Sequence, residues 1–346
     1  MILIIAADDD AHVPFVTKHL DARHVEYRQF DPARFPSVAE ISVRHDSAGT
    51  RSMLLRDRET ALDLSRVRSV WHRGRARPVA DPNARPDQRW WIAESSARFL
   101  SELYECMECF WLPERPRAER NPFSDPLDSR QISTPIRPAA ASAYNKLYQL
   151  EVANRNGFSV PRTLVTNSPD RFLEFFESCG GRMVSKRVIG NLLNERDGEM
   201  AFPYTHAVRR RDAGGFQAVR YAPVILQEVI QKQLELRVTV VGRKVFASAI
   251  RSQDNTRLLT DWRHSRTSGF EDLHTAHALA DDVSARCVRI VEELGLCFGA
   301  IDLIVTPDGD HVFLEVNPNG QWAWVEEFTN LPIGDAIAEL LTTRDV

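Results

Sequence analysis

The stretch of sequence that decides the fold is GAIDLIVTPDGDHVFLEVN, residues 299–317. Its centre, Pro307-Asp308-Gly309-Asp310, is a turn signal between two apolar, β-branched runs, and it predicts a β-hairpin. A turn centred between Asp308 and Gly309 gives one entirely apolar face, whose opposed pairs are Ile301 with Val316, Leu303 with Leu314 and Val305 with Val312. The other face carries Asp302 opposite Glu315, Ile304 opposite Phe313, and Asn317 two residues beyond Glu315.

Two carboxylates therefore face each other across the predicted hairpin. Directly opposed side chains lie about 4.5–5.5 Å apart, and like charges at that distance are destabilising. A hard divalent cation held by Asp302, Glu315 and Asn317 would resolve the repulsion. Mg²⁺ is the natural candidate, because it takes oxygen ligands and shares them with substrate phosphates. The alternatives are a solvated polar face with fortuitous pairing, or a register that slips by one residue.

Composition excludes several classes of protein. A chain of 346 residues predicts two or three packed units at about 100–200 residues per domain. The net charge of −4 supplies no basic field for a polyanion, so we expect no nucleic-acid partner. No apolar run approaches the ~18–20 residues of a bilayer span, so we expect no membrane partner. The start, MILIIAADDD, lacks the basic region of an export signal, and five cysteines make no disulfide framework, which together favour the cytoplasm.

The first third of the chain is typical of an open α/β unit. Short strands are predicted at residues 2–6, 25–31, 41–45, 52–55 and 69–73, with helices at 13–22 and 87–108. Their alternation predicts a parallel sheet covered on both faces. Residues 113–138 are rich in proline without a usable period, and they predict a linker or mobile loop.

Candidate nucleotide-binding residues are dispersed, because the chain has neither a GxxxxGK[ST] phosphate loop nor a GxGxxG turn. Lys186 ends an apolar strand and Lys146 begins a helix; each could bind phosphate as a point charge, or be an ordinary surface residue. The end of the strand PVILQEVI, residues 223–230, could offer backbone groups to the edge of a base. In LELRVTVVG, residues 234–242, Glu235 and Arg237 share one face, and Arg237 could reach a phosphate or a developing oxyanion.

The order of these features resembles the ATP-grasp ligases and, within them, the microviridin-type peptide maturases or graspetide synthetases. The stretches that carry the resemblance are NKLYQL, VSK, QEVI, ELRVTVVG, AIRSQ, DWR, GAIDLIV and FLEVNPNGQW, all within residues 142–345. FDPARFP, residues 30–36, and VWHRGR, residues 70–75, are also similar to the N-terminal region of that family.

The resemblance implies a mixed α/β and α+β chain, with an ATP-grasp fold that follows an N-terminal open α/β, or pre-ATP-grasp, domain. We expect an N-terminal domain over residues 1–112 and a linker or mobile loop over 113–141. A central ATP-grasp subdomain with a candidate leader-peptide hairpin should cover residues 142–222, and a C-terminal subdomain with the Mg²⁺ and ATP site residues 223–346.

The resemblance also implies ATP and Mg²⁺ as cofactors and assigns roles to residues. Phosphates would be bound by Lys146 and Lys186, adenine by the segment Gln227, Glu228, Val229 and Ile230, and ribose by Glu235. Mg²⁺ would be held by Asp302, Glu315 and Asn317. The transferring phosphate and the acyl-phosphate would be served by Arg237 and Arg263, with Arg251 as a helper, and a loop containing Gly190 and Gly198 would cover the triphosphate.

The implied activity is ATP-dependent ligation within a ribosomal precursor peptide that has a leader and a core. An Asp or Glu side chain would be activated as an acyl-phosphate and captured by a Ser or Thr hydroxyl or a Lys amine, giving an ester or an amide. The run Arg209, Arg210 and Arg211 would dock an acidic or aromatic leader, or be a solvated face. Ser252 and Gln253 would contact the peptide acceptor, or be polar residues at a strand end. A homodimer is also implied.

Two other functions remain open from sequence. A ligase that adds free amino acids to a protein or peptide terminus would use the same nucleotide motifs. A nucleotide-binding regulatory protein without catalysis would not need the set of lysines, arginine, carboxylates and amide described above. Two further motifs have double interpretations: Trp322 and Trp324 could wall a peptide groove or pack in the core, and Asp8–Asp10 could cap a helix or bind a metal.

Overall fold

The computed structural model describes residues 1–58, 60–74, 76–114, 143–187, 194–196, 199–201, 205–254 and 273–346, without the side chains of 187, 194–201, 210–214 and 254. Within these ranges the chain forms three units along the sequence. Each unit has its own sheet, and helices cover the sheets.

The N-terminal unit is built on a parallel sheet. Its elements are β1 (Ile2–Ile5), α1 (Val13–Ala22), β2 (Tyr27–Phe30), β3 (Ala39–His45), β4 (Arg51–Asp57), β5 (Thr60–Asp63), β6 (Ser69–His72), α2 (Pro86–Cys106) and β7 (Phe110–Leu112). Strands β2, β1, β6 and β7 pair side by side in that order, all parallel, and all four residues of β1 and of β6 are buried. Burial on both faces explains the continuous apolar sequence of β1.

Part of the predicted N-terminal sheet is wrong. Strands β3, β4 and β5 form a separate antiparallel sheet instead of joining the parallel one. The physical reason is the length of the connections, because parallel neighbours need a crossover of roughly a dozen residues and these strands are joined by short turns. Strands β5 and β7 were not predicted.

The central unit is an antiparallel sheet with one helix packed on it. Its elements are α3 (Lys146–Arg155), β8 (Thr163–Thr166), α4 (Pro169–Ser178), β9 (Met183–Arg187), β10 (Asn194–Arg196), β11 (Glu199–Ala201), β12 (His206–Val208) and β13 (Val224–Glu228), with a 3₁₀ segment at Arg210–Tyr221. The sheet has the order β12, β9, β13, β8, and β10 pairs separately with β11. Phe172 and Phe176 of α4 pack on Val219 and Leu226 to make a small core.

The C-terminal unit is a five-stranded antiparallel sheet in the order β16, β15, β14, β17, β18. Its elements are β14 (Leu234–Val241), β15 (Lys244–Ile250), β16 (His274–His277), α5 (Asp281–Glu293), β17 (Phe298–Val305), β18 (His311–Asn317), α6 (Ala323–Thr329) and α7 (Ile333–Thr343). Strand β18 is at one edge of this sheet. One face packs on α3 and α5 through a cluster that includes Val152, Val238, Ile290, Ile301 and Phe313.

The first and last parts of the chain share a hydrophobic core. Ile4, Val16 and Leu20 belong to the same buried cluster as Ile337 and Leu341. Polar contacts join the same parts, since Lys18 of α1 lies 3.1 Å from Glu326 of α6 and the Ser69 hydroxyl donates to the Leu341 carbonyl at 2.6 Å. The C-terminal helices therefore complete the hydrophobic core on one face of the N-terminal sheet.

Candidate active site

The predicted hairpin is formed by β17 and β18, with residues 306–310 as its turn. Asp302 is the register partner of Glu315, Ile301 of Val316, and Ala300 of Asn317, as the alternating pattern predicts. The turn is closed by hydrogen bonds from the Gly309 amide to the Thr306 carbonyl and from the Thr306 amide to the Asp310 carbonyl, each 2.9 Å. The three expected metal-binding residues therefore lie at one end of the hairpin.

Beyond the carboxylates the predicted register is wrong by one residue. A β-bulge after Asp302 pairs Leu303 with Phe313, Ile304 with Val312 and Val305 with His311, in place of Leu303 with Leu314, Ile304 with Phe313 and Val305 with Val312. Leu314 is the extra residue. The bulge turns Phe313 into the core, where it is 0% exposed and its ring packs on Phe158, while Leu314 lines a cleft on the other side.

Each carboxylate of the hairpin is paired with a cationic side chain. Arg237 of β14 is the register partner of Asp302, and its Nη1 donates to Asp302 Oδ1 at 2.8 Å. Lys146 Nζ donates to Glu315 Oε2, and Asn317 Nδ2 donates to Glu315 Oε1 at 3.3 Å. The repulsion across the hairpin is thus compensated within the protein. The case for a metal therefore rests on the chemistry of the oxygen donors and not on uncompensated charge.

Arg237 is held rigidly. Its side chain is 6% exposed, and its Nη2 donates to the Gln321 carbonyl at 3.0 Å in the loop that follows β18. Lys146 is fixed at the first residue of α3, because the Asn145 side chain caps the helix by accepting from the amides of Leu147 and Tyr148 at 3.1 Å each. Both cations are therefore placed by neighbouring elements.

A cleft lies between the central sheet and the α3–β18 layer. Its charged and polar lining is Lys146, Lys186, Gln227 and Glu315, and its apolar lining is Leu147, Leu150, Ile225 and Leu314. Lys186 enters from β9, where it is the register partner of Ile225. The structure thus brings together two lysines, a glutamine and a carboxylate that are far apart in the sequence and that were singled out separately.

The segment that follows β13 makes tight contacts with its neighbours. Glu228 accepts from the backbone and the guanidinium of Arg162 at 2.8 and 2.9 Å, and its own amide donates to the Arg162 carbonyl at 3.1 Å. The amide of Val229 donates to the Arg182 carbonyl at 3.4 Å. Gln227 is 3% exposed and donates to Thr163 Oγ1 at 3.1 Å. Of the expected base-binding segment, the amides of Glu228 and Val229 are therefore already engaged within the protein.

Glu235 lies at the start of β14, two residues before Arg237. It forms a 2.9 Å ion pair with Lys232, and both side chains are 9% exposed. Its register partner Ile250 ends β15, so the segment that follows, residues 251–253, lies at the same end of the sheet. There Arg251 is exposed, Ser252 is fully buried, and Gln253 donates to the Ser252 hydroxyl at 3.4 Å.

Several expected residues lie outside the described part of the chain. These are Arg263, Gly190 and Gly198, together with most of the expected linker, residues 115–141. Arg209 is exposed, whereas the side chains of Arg210 and Arg211 are not among those described. Trp322 is fully buried in the core shared by the chain ends, which decides its double interpretation in favour of packing.

A buried polar cluster of Asp10, His12 and Arg73 was missed by sequence reasoning. Asp10 accepts from His12 Nδ1 at 2.8 Å and from Arg73 Nε at 3.2 Å, while the Trp322 amide donates to His12 Nε2 at 3.2 Å. Arg73 Nη2 also lies 3.0 Å from His12 Nδ1, so the three side chains contact one another. Burial alone would raise the pKa of Asp10, but the hydrogen bonds from His12 and the charge of Arg73 outweigh it and lower that pKa.

The signals for this cluster were present as the motifs DDD and VWHRGR, but they are about sixty residues apart in the sequence. The helix-cap interpretation of Asp10 is wrong, because α1 begins at Val13 after His12 and has no side-chain cap. The carboxylate instead ties the carboxyl ends of β1 and β6 to the loop after β18. Nearby, burial raises the pKa of Tyr144 to about 12, against the opposing effect of a hydrogen bond with Asn319.

His274 was also missed. It lies buried on β16 between the rings of Trp324 and Phe328, with ring centroids 4.8 and 5.5 Å away. Burial lowers the pKa of His274 to about 4, so the ring is neutral near neutral pH. The short strand HTAH, with two histidines and one β-branched residue, gave no sign of this in the sequence.

Comparison with known proteins supports the expected fold. The family profile described as "MvdD pre-ATP grasp domain" matches residues 1–119. A RiPP-associated ATP-grasp ligase of Chryseobacterium gregarium, solved with ADP and a leader and core peptide, superposes with a TM-score of 0.85, at 25% identity over 99% of this chain and 96% of its own. The macrocyclase MdnB of Microcystis aeruginosa superposes with a TM-score of 0.75, at 29% identity over 99% of both chains.

A more distant similarity links the chain to another ligase class. A probable alpha-L-glutamate ligase of Vibrio atlanticus is 22% identical over 205 residues, which is 59% of this chain and 64% of that ligase.

No helix in the described ranges has the length and apolar content that a membrane span requires. The first 119 residues therefore match the MvdD pre-ATP-grasp profile, and the described part of the chain has the fold of the RiPP-associated ATP-grasp ligases.

Proposed function

We propose that this protein is an ATP-dependent ligase that closes ester or amide links within a ribosomal precursor peptide. The observation that carries the proposal is the cleft lined by Lys146 and Lys186 beside the carboxylate hairpin, in a chain whose whole length superposes on ligases of that class. A cleft with two lysines suits a triphosphate, and the adjacent oxygen donors suit its counter-ion.

ATP would bind with its phosphates toward the two lysines. Leu147, Leu150, Ile225 and Leu314 offer apolar walls for the adenine ring. Because the amides of Glu228 and Val229 are already engaged, the base edge would be read by the Glu228 carbonyl and the Ile230 amide. The ribose would lie near Glu235, which Lys232 holds in place.

The expected Mg²⁺ site is supported by donor chemistry. Asp302 and Glu315 are register partners, and Asn317 lies two residues beyond Glu315. The hard oxygen donors of two carboxylates and an amide suit Mg²⁺. Among the described residues no cluster of three or more His, Cys, Asp or Glu side chains forms a metal site, so the set depends on the amide of Asn317. The ion, when bound, would neutralise charge on the phosphate oxygens. Lys146 would exchange Glu315 for a phosphate oxygen as the nucleotide enters.

The reaction would proceed in two steps. A peptide carboxylate oxygen attacks the γ-phosphorus of ATP, the bond to the β-phosphate oxygen breaks, and ADP leaves an acyl-phosphate behind. A peptide hydroxyl or amine then attacks the acyl carbon, loses its proton and expels phosphate. Phosphoryl transfer needs mainly positioning and charge stabilisation, which the buried guanidinium of Arg237 would supply, with Arg263 and Arg251 as further candidates.

The peptide would be a precursor with a leader and a core. Its leader would dock on the segment that contains Arg209, Arg210 and Arg211, and its acceptor would lie near Ser252 and Gln253. The ligand set of the Chryseobacterium gregarium ligase, ADP with a leader and core peptide, supports this choice of partner. The homodimer and the cytoplasmic location stay predictions.

A second candidate is the addition of free amino acids to a peptide or protein terminus. The similarity to the glutamate ligases favours it, although it covers only 64% of the length of the Vibrio atlanticus protein. The two candidates share the nucleotide site and differ in the acceptor, so the mass of the product distinguishes them.

The test is incubation of the purified protein with ATP, Mg²⁺ and any short peptide rich in Thr and in Glu or Asp whose reading frame neighbours its gene. We expect the peptide to lose the mass of one water for each ring, together with release of ADP. Glu315→Ala should reduce this dehydration by at least about 100-fold, because even a group that only orients a metal ligand is worth about 10–100-fold.

The matched control is Glu339→Ala. Glu339 lies on α7, away from the cleft, and its exposed carboxylate pairs with Lys244. It should leave turnover unchanged. A product heavier than the peptide by the mass of an amino-acid residue would favour the second candidate. ATP-independent chemistry, or full activity of Glu315→Ala, would contradict the proposed site.

A further inference from the structure

Gln149 is a polar side chain on the buried face of α3. It is 2% exposed, and its neighbours on that face, Val152 and Ala153, are fully buried and apolar. Its Nε2 donates to the Val316 carbonyl at 2.8 Å and to the Ala143 carbonyl at 2.5 Å, and its Oε1 accepts from the Val316 amide at 3.0 Å. A buried amide is retained at low cost only where its hydrogen bonds are made, as they are here.

The partner of Gln149 is the outer edge of strand β18. Strand β18 ends the five-stranded sheet, so the backbone groups on its outer edge have no neighbouring strand in that sheet. A primary amide carries one acceptor and two donors, and it can therefore pair with a backbone N–H and C=O as another strand would. Gln149 does this at a single residue, Val316, which lies between Glu315 and Asn317.

The same glutamine lies one helical turn after Lys146, the partner of Glu315. Residues three apart on a helix lie on neighbouring parts of one face. Gln149 thus fixes the spacing between the helix that carries the lysine and the strand that carries two of the three expected Mg²⁺ ligands.

We propose that Gln149 is a positioning residue of the active site, which sets the distance between Lys146 and the Glu315–Asn317 pair. The inference rests on the proposed function, since it concerns the same nucleotide and metal site. Packing alone does not need this amide, because methionine would fill a similar volume on the apolar face of α3. The amide instead fixes the position of α3 along β18, which an apolar side chain cannot do.

The test compares Gln149→Met with Gln149→Glu. Methionine removes both halves of the pairing, whereas glutamate keeps the acceptor for the Val316 amide and loses the donors. We expect kcat to fall about 10–100-fold in Gln149→Met, as for other groups that orient metal ligands, and the Mg²⁺ concentration for half-maximal rate to rise. Gln149→Glu should show the same direction of change, which keeps the test valid if one variant folds poorly.

The matched control is Gln29→Met. Gln29 also donates to a backbone carbonyl, that of Ala7 at 2.8 Å, but it does so in the N-terminal unit on β2. A merely structural glutamine would change thermal stability in the same way at both sites without changing the Mg²⁺ dependence. Only the Gln149 variants are expected to change that dependence.

Nucleotide binding separates failure of this inference from failure of the proposed function. Mg²⁺ with ADP should raise the melting temperature of the wild-type protein in the absence of any peptide. A wild-type protein that does not respond would contradict the proposed function. A wild-type protein that responds, beside Gln149 variants with unchanged kcat and Mg²⁺ dependence, would overturn the positioning role alone.

Discussion

Gly320, in the loop after β18, leaves no room for a side chain beside Arg237, the proposed catalytic arginine. A Cβ at this position would lie 2.7 Å from Arg237 Nη2 and 2.4 Å from the Cβ of Ala300. The Gly320 amide also closes a turn by donating to the Asn317 carbonyl at 3.0 Å. Glycine is needed here for space, since the loop must leave room for the guanidinium that contacts Asp302.

Gly320→Ala is therefore expected to displace Arg237 or the loop. We expect turnover to fall about 100-fold, since a misplacement of about 1 Å in a catalytic constellation can cost that much. Peptide dehydration and ADP release measure it. Glu339→Ala is the control, because Glu339 lies on α7 and its exposed carboxylate pairs with Lys244. Equal turnover of Gly320→Ala and the wild type would show that Arg237 has more freedom than the packing indicates.

Single residues also mark the limit of what could be predicted at the site. The pairing of Asp302 with Glu315 follows from the two-residue period of strands and a strong turn signal, and it is confirmed. The bulge at Leu314 could not be predicted, because an extra residue in an apolar run has no signature of its own. It shifts the register of every later pair by one residue. A glutamine on the apolar face of a predicted helix, as Gln149 is, was readable as a buried polar group and was overlooked.

At the scale of elements, helices α1 and α7 approach closely enough to exclude a side chain. A Cβ on Gly334 would lie 2.3 Å from the backbone carbonyl oxygen of Phe15. Gly334 also donates its amide to Glu326 Oε2 at 2.6 Å, which joins α6 to the start of α7. The close packing of these helices therefore requires glycine at position 334, because a Cβ there would overlap the backbone of α1.

Gly334→Ala should lower the free energy of unfolding by about 1–3 kcal/mol, the usual cost of overpacking against a backbone that cannot move freely. Urea denaturation measures the effect. Glu339→Ala in the same helix is the control and should change stability by less than about 0.5 kcal/mol, as exposed substitutions do. Stabilisation by the alanine would mean that the two helices can separate without loss of the shared core.

Sequence periodicity located most elements but not their partners. The helix at Val13–Ala22 and the hairpin strands β17 and β18 were predicted close to their observed bounds, but strand β16 was not predicted. The prediction placed strands β3 and β4 in the wrong sheet, because alternation of strands and helices does not reveal that a short connection cannot make the crossover that parallel pairing requires.

At the scale of the whole molecule, Asp10, His12 and Arg73 join the N-terminal sheet to the loop after β18, through the hydrogen bond from the Trp322 amide to His12. The Asp10 carboxylate is 8% exposed and its pKa is lowered, so it is ionised in the folded state. A lowered pKa in the folded state adds stability above the unfolded-state value, and this stability is lost as the pH falls toward the folded-state value.

Asp10→Asn should therefore destabilise the protein at neutral pH by about 3 kcal/mol, the lower end of the range for removing one partner of a buried ion pair. The difference in the free energy of unfolding between the variant and the wild type should become smaller as the pH falls below 3.8, the ordinary pKa of an aspartate. Urea unfolding at several pH values measures both effects. Asp87→Asn, which alters an exposed pair with Arg85, should have little effect at any pH. A pH-independent difference would mean that hydrogen bonding and not charge holds the cluster.

The core shared by the chain ends sets an order in which surfaces are buried during synthesis. Ile4, Val16 and Leu20 leave the ribosome well before Ile337 and Leu341, which belong to the same buried cluster. Until those later residues have been made, one face of the nascent N-terminal sheet stays exposed to water. The N-terminal unit is thus fully buried only after helix α7 has been synthesised.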